Sequence, residues 1–260
     1  NELSLRQERV KAIKEAKAEI ERRAAQRQAE EQKVYETKVA ERAKKEQQTG
    51  KKARGKSPQP PEPGPTQKDQ VNLNDKESRI MPTSGGGFEQ AYNVQAGVDM
   101  DTMLIVTTHV TQAPNDKKEL EPALTNLKNL PQGLGTVTEL IADNGYFSEE
   151  NVKLCQKNRV IPYIAVNREK HHPPVMDRFR EPVPLPDGAT LLDTMKHRLK
   201  TSSGKAVYAK RKSTIEPVFG IIKSVMGFRQ FLLRGVEAVK GEWDLVCIAF
   251  NLKRLFALAK

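Results

Sequence analysis

The sequence reads as an α/β protein: a mixed sheet flanked by helices, preceded by a charged helical arm. Three observations carry this reading. Residues 1–49 contain no Pro or Gly and are dominated by Ala, Glu, Lys, Gln and Arg, the composition of a helix. Tyr92–Asp99 and Met103–Val110 are rich in β-branched residues and stand three residues apart, as two paired strands would. From Leu140 onward, short apolar runs alternate with capped amphipathic stretches, the pattern of strand and helix taken in turn.

In the arm, Val10, Ile13 and Ile20 are spaced like a coiled-coil seam, which then lapses. A DNA- or partner-contacting arm and a solvated charged helix both fit it. Residues 50–71 carry Pro58, Pro60, Pro61, Pro63 and Pro65 among Gly, Lys and Gln, so they cannot bury a core and read as a disordered linker. Ordered sequence resumes at 72 and continues to 260. Ser84-Gly85-Gly86-Gly87 lacks a following Lys-Ser/Thr and precedes a strand, so it reads as a hairpin lead-in and not a phosphate loop.

The strand pair turns through Met100-Asp101-Thr102. His109 has no second ligand at metal spacing and reads as a packed or edge histidine. Asn115-Asp116 is positioned to cap a helix over about 117–129, with Leu120, Leu124 and Leu127 on one side. Leu140–Phe147 reads as a short buried strand ending in Asp143, a turn, and a helix over about 148–158 opened by Ser148. Val160–Val166 is a further strand, with Pro162 pointing to an edge or a strand start. Residues 168–205 lose periodicity, and His171-His172 there reads as part of a basic loop, since neighbouring histidines face different ways. A helix carrying Glu216, a bend near Met226-Gly227 and a final helix from about Val236 to Leu258 complete the chain.

The net charge of +11 points to a polyanionic partner. Two distant cysteines, Cys155 and Cys247, form neither a disulfide framework nor a zinc centre, which fits a reducing cytoplasm. No run of about 18 apolar residues is present, so no membrane partner is expected.

The stretch from Tyr208 to Lys223 holds one carboxylate, Glu216, among Lys210, Arg211, Lys212 and Lys223. Helical periodicity places Lys212, Glu216 and Lys223 near one stripe, with Ile215, Val218 and Ile222 on an adjacent core-facing stripe. An acid on a packed helix among cations suits a metal ion beside a polyanion; a surface Glu216–Lys212 pair explains the same residues without chemistry.

With the Ala142-Asp143-Asn144-Gly145-Tyr146-Phe147 strand end, this stretch resembles the DDE transposases of bacterial insertion sequences, whose catalytic domain is RNase H-like. The resemblance continues through Glu216-Pro217-Val218-Phe219-Gly220, Gly227-Phe228-Arg229, Phe231–Gly235 and Glu242–Leu245, and covers roughly residues 72–258. It implies an RNase H-like domain over 72–260, with Asp143 and Glu216 as the second and third catalytic acids and ligands of a two-ion Mg²⁺ (or Mn²⁺) site. It implies DNA contacts from Tyr208, Arg211, Lys212 and Lys223. It also implies double-stranded DNA (transposon ends and target) as partner, a homodimer, and a cytoplasmic, nucleoid-associated enzyme of DNA cleavage and strand transfer. In relatives Tyr and Arg stand seven and four residues before the Glu; here Tyr208 and Arg211 stand eight and five before, with Lys212 four before.

The family's first Asp lies on a first strand in an Asp-Gly-Thr-like setting that does not occur here, and residues 1–49 resemble the insertion that follows it. The expectation is a chain lacking its first strand, a partial and inactive form, with Asp99 and Asp75 as in-chain candidates for the missing acid. A non-catalytic basic nucleic-acid-binding protein is the competing reading. Asp143 and Glu216 are expected roughly 4–8 Å apart, as a shared two-ion site requires.

Overall fold

Without a helix breaker before Gly50, the arm forms one helix, α1 (Glu2–Thr49). It carries Arg22 and Arg23 on Glu19 and Arg42 on Glu46 at helical spacing. Its only buried residues are Ala16 and Ala24, because apolar residues are too sparse to make a seam. The computed structural model describes residues 2–53, 55–83, 85–166 and 181–260. They divide into two units, residues 1–80 and 81–260.

In the first unit, the described residues of 50–71 contain no helix or strand, yet arginines of α1 hold parts of them. Arg42 donates to the carbonyl oxygens of Ala53 and Lys56 at 2.8 and 3.0 Å. Arg27 donates to Gly64 O at 3.2 Å and to Asp69 Oδ2 at 3.0 Å. The Arg27 guanidinium, with Thr66 adding further hydrogen bonds, holds the Asp69 carboxyl down at about 2.

The second unit begins inside β1 (Arg79–Pro82), and β2 (Phe88–Ala91) follows after a turn in which Gly86 and Gly87 take positive φ. Strands β3 (Asn93–Val98) and β4 (Ile105–Thr111) pair antiparallel, with a register shift at Gly97/Val98. Helix α2 spans Leu120–Lys128, shorter at its start than the sequence suggests. Asp116 does not cap it; its carboxylate is committed to β3 instead. Strand β5 (Glu139–Ala142) pairs in parallel with β6 (Ile161–Ile164) through the intervening α3 (Glu149–Lys157). Ser148 caps α3 as expected, its hydroxyl accepting from Asn151 N.

Helix α4 (Leu191–Lys200) lies in the stretch whose periodicity proline obscures, and Thr190 caps it. His171 and His172 lie outside the described residues. Helix α5 (Ser202–Gly220) carries Glu216 and runs into a π turn, Ile221–Val225. Helix α6 (Val236–Leu258) matches the expected boundaries.

Among the described residues, two apolar cores form. Leu120, Leu124, Ala142, Val152, Cys155, Ile164 and Met195 join α2, α3, α4, β5 and β6. Ile105, Val218, Ile222, Trp243, Cys247 and Phe250 join the β3–β4 pair to α5 and α6. Trp243 stacks on Phe219 with ring centroids 5.9 Å apart and donates to Gln95 O at 3.3 Å. Both cysteines are free and buried; burial pushes the thiols of Cys155 and Cys247 up to about 11 and about 12, which keeps them unreactive.

Two glycines of α5 have opposite surroundings. A Cβ on Gly204 would sit 1.8 Å from the Arg198 carbonyl oxygen, whereas one on Gly220 meets nothing within 4 Å. Gly204→Ala is therefore expected to cost about 3 kcal/mol or more, and Gly220→Ala to stabilise by up to about 1 kcal/mol; urea unfolding midpoints measure both. A second expectation concerns Asp69. Its folded pKa lies below the ordinary 3.8, so the tether's contribution is present above that value and is lost as pH falls through about 2. Hydrogen exchange at residues 64–70 should accelerate over that interval, and Arg27→Ala should produce the same loosening at neutral pH.

Candidate functional site

The cross-strand pairs Asn93↔Thr111, Gln95↔His109 and Gly97↔Thr107 place one face of β3–β4 in polar hands, while Val94, Ala96 and Val110 pack into the Trp243 core. Buried polar groups favour partners, and residues after β4 supply them for Asn93, Gln95, His109 and Thr111, whereas the buried Thr107 hydroxyl has none among the described residues. Asp116 Oδ1 accepts from Asn93 Nδ2 and Gln95 Nε2, each at 2.7 Å. Glu119, itself buried, shares a 2.8 Å hydrogen bond with His109 Nε2 and accepts from Thr111 Oγ1 at 3.2 Å. His109 is thus a packed histidine with a carboxylate partner.

This polar face reaches the turn that follows β5. Tyr146 donates its phenolic hydrogen to Gln95 Oε1. Asn151 of α3 donates to the Tyr146 carbonyl oxygen at 2.6 Å and to that of Lys117 at 2.8 Å. Burial, with Asp116, Asp143 and Glu119 nearby, pushes the Tyr146 phenol far above its ordinary value. Asp143, exposed at the end of β5, accepts from Gly145 N at 2.8 Å. A Cβ on Gly145 would lie 3.0 Å from both Asp143 Oδ1 and Asp116 Oδ2, so these two oxygens are at most twice that distance apart. A side chain here would crowd both carboxylates, and Asp116 stands beside Asp143.

Glu216 is exposed on α5, which packs against β5, β3 and β6. Its ion pair is with Arg211 at 2.9 Å and not with Lys212, which stays exposed. The π turn holds more residues per turn than an α-helix, so Lys223 lags behind the Glu216 stripe that regular spacing predicts. Lys223 lies over the Phe219 ring instead, 5.9 Å from its centroid. Tyr208 is half-buried on the same helix. Asp99 accepts from the backbone N and Oγ1 of Thr102 at 2.8 and 2.6 Å; these bonds hold its carboxyl below the usual range and tie it to the β3–β4 turn. Asp75, in the first unit, accepts from Glu77 N at 3.1 Å.

The sequence model of the transposase DDE domain family matches residues 63–252, which include this strand end and all of α5. The chain belongs to that family. No curated protein and no solved structure matches it significantly. A DDE transposase domain acts on DNA, and the mixed α/β architecture is the one expected of an RNase H-like transposase. Among the described residues no helix is long and apolar enough to cross a membrane. Among them, too, no three His, Cys, Asp or Glu side chains gather closely enough to hold a metal ion.

Sequence reasoning found the Asp143 turn of the transposase domain but missed its support. Asn93, Gln95 and Gly97 alternate with apolar residues opposite Thr111, His109 and Thr107, a pattern that demands buried polar partners. Asp116→Asn presents an amide near two amide donors, with one carboxylate oxygen lost as acceptor. It should destabilise the domain by about 2 kcal/mol in urea unfolding. The raised Tyr146 pKa favours the folded state, fully below pH 10.0, and that contribution disappears as pH rises beyond it. Tyrosinate absorbance should show Tyr146 ionising together with alkaline unfolding, and Tyr146→Phe should remove that step.

Proposed function

We propose that this chain is the DNA-engaging part of an insertion-sequence DDE transposase, which grips transposon-end and target duplex without cutting it as it stands. The observation that carries the reading is the family match spanning both Asp143 and Glu216, the acids of a strand end and a helix packed against that strand. In-line attack on a phosphodiester charges both entering and leaving oxygens, and a pair of divalent ions held by three carboxylates stabilises them. Mg²⁺ or Mn²⁺ favours oxygen donors, so Asp143 and Glu216 suit the ion by chemistry. The described residues do not fit a complete site, since no third acid joins a metal-holding group. No cleavage step is therefore assigned to this chain.

DNA binding needs no such completion. Lys210, Lys212, Lys223, Arg229 and Arg234 are exposed on or just after α5, where they can neutralise phosphates. Arg211 bonds Glu216, and an arriving phosphate competes with that carboxylate for the guanidinium. Tyr208 completes the DNA-facing set, and a dimer would present two such surfaces to paired ends.

Fluorescence anisotropy with an end-bearing duplex should give binding that weakens steeply with salt. Lys212→Ala and Lys223→Ala should each reduce the log–log salt slope by about one. End-nicking in Mg²⁺ or Mn²⁺ should be undetectable. Nicking that Asp99→Ala abolishes would establish a complete catalytic set with Asp99 as its first acid, and binding indifferent to salt would remove the DNA-gripping role.

A further inference from the structure

Every residue from Ser57 to Pro63 is a proline or stands directly before one. Proline fixes its own φ and pushes the preceding residue toward extended backbone, so the whole run shares one favoured state, the polyproline II helix. Exposure follows the same helix. Pro58, Pro61 and Gly64 are half-buried and the residues between them are exposed, a period of three that fits neither a strand nor an α-helix. Gly55 and Gly64 take φ of +99° and +80°, and these turns bound the run on both sides.

The ends of the run show what it lies along. Before it, Arg42 of α1 donates to the carbonyl oxygens of Ala53, Gly55 and Lys56, while Glu46 accepts from Ala53 N at 2.9 Å. Beyond it, Arg27 of α1 holds Gly64 O and Asp69. Arg27 and Arg42 stand fifteen residues apart, about 22 Å of α-helix. Lys56 and Gly64 stand eight apart, about 25 Å of polyproline helix but only about 12 Å of α-helix. The matching spans lay the run antiparallel along α1. Between the two arginines, Gln28, Gln32 and Tyr35 are the half-buried residues of α1, at the four- and three-residue spacing of one helical face.

We infer that residues 57–63 form a polyproline strap that stiffens the arm, latched to α1 by Arg42 at one end and Arg27 at the other. A helix without an apolar seam is marginal in water and takes its stability from packing. The strap supplies that packing at low entropic cost, because proline restricts it before it docks. Its latches are unequal: Arg42 engages three carbonyls beside Glu46, whereas the far end hangs on Gly64 O and the single carboxylate of Asp69. The strap therefore opens from the Arg27 end, and the arm passes from a stiff hairpin to a flexible tether. This goes beyond the DNA-gripping reading and does not rest on it, since its test contains no nucleic acid.

Nuclear magnetic relaxation of the whole chain should give the amides of Gln59 and Glu62 the order parameters of rigid backbone, about 0.85; values below about 0.6 overturn the strap. Pro58→Gly, Pro60→Gly, Pro61→Gly and Pro63→Gly together keep the length and free the backbone. Hydrogen exchange over residues 28–46 of α1 should then accelerate tenfold or more, with α3 and α6 at their parental rates. Unchanged exchange in α1 overturns the stiffening role, and equal acceleration in α3 and α6 overturns a device confined to the arm. Arg27→Gln with Arg42→Gln should accelerate the same α1 amides, and indifference to that pair overturns the latches.

Discussion

The Asp116 carboxylate, accepting from Asn93 and Gln95, is the interaction on which the rest of the second unit depends. A two-stranded sheet with one polar face cannot bury that face unless donors and acceptors are matched. Asp116 matches two donors at once, and this leaves Gln95 Oε1 to receive the Tyr146 hydroxyl. Through Tyr146 the sheet holds the turn after β5, and through Asn151 the same turn is held by α3. Asp143 thus sits on a backbone fixed from two directions, which is how a rigid scaffold presents an exposed carboxylate at a strand end.

Much of this architecture was legible in the residues. Ser148 before a charged first turn announced α3, and the apolar stripe through Val218 and Ile222 announced the buried side of α5. Asp143 at a strand end was legible as well. What escaped were features decided by tertiary partners. Asn115-Asp116 has the look of a helix cap, yet the carboxylate serves a strand some twenty residues earlier, a preference no local pattern encodes. Helix α4 was hidden because the prolines before it masked a single capped turn at Thr190. The order of strands and helices depends on local propensity and burial pattern, whereas the wiring around Asp143 depends on which buried atoms lack partners.

The Glu216 helix illustrates the same limit at finer scale. Regular periodicity puts Lys212, Glu216 and Lys223 on one stripe, and spacing alone favours a Glu216–Lys212 pair. The longer, forked Arg211 reaches Glu216 from five residues away, leaving Lys212 free in solvent. Beyond Gly220 the backbone widens: Met226 N bonds to Ile221 O, five residues back, so cations beyond that point leave the helical stripe. The basic surface is consequently spread across the end of α5, and not concentrated along one edge of it.

Trp243 is the only tryptophan in the chain, and it lies where α6, the Phe219 face of α5 and the Gln95 backbone meet. Its indole is therefore a built-in optical reporter for the joint between the helix carrying Glu216 and the strand supporting the Asp143 turn. Any ligand that shifts that joint changes the polarity around one fluorophore, and the emission needs no label to be assigned.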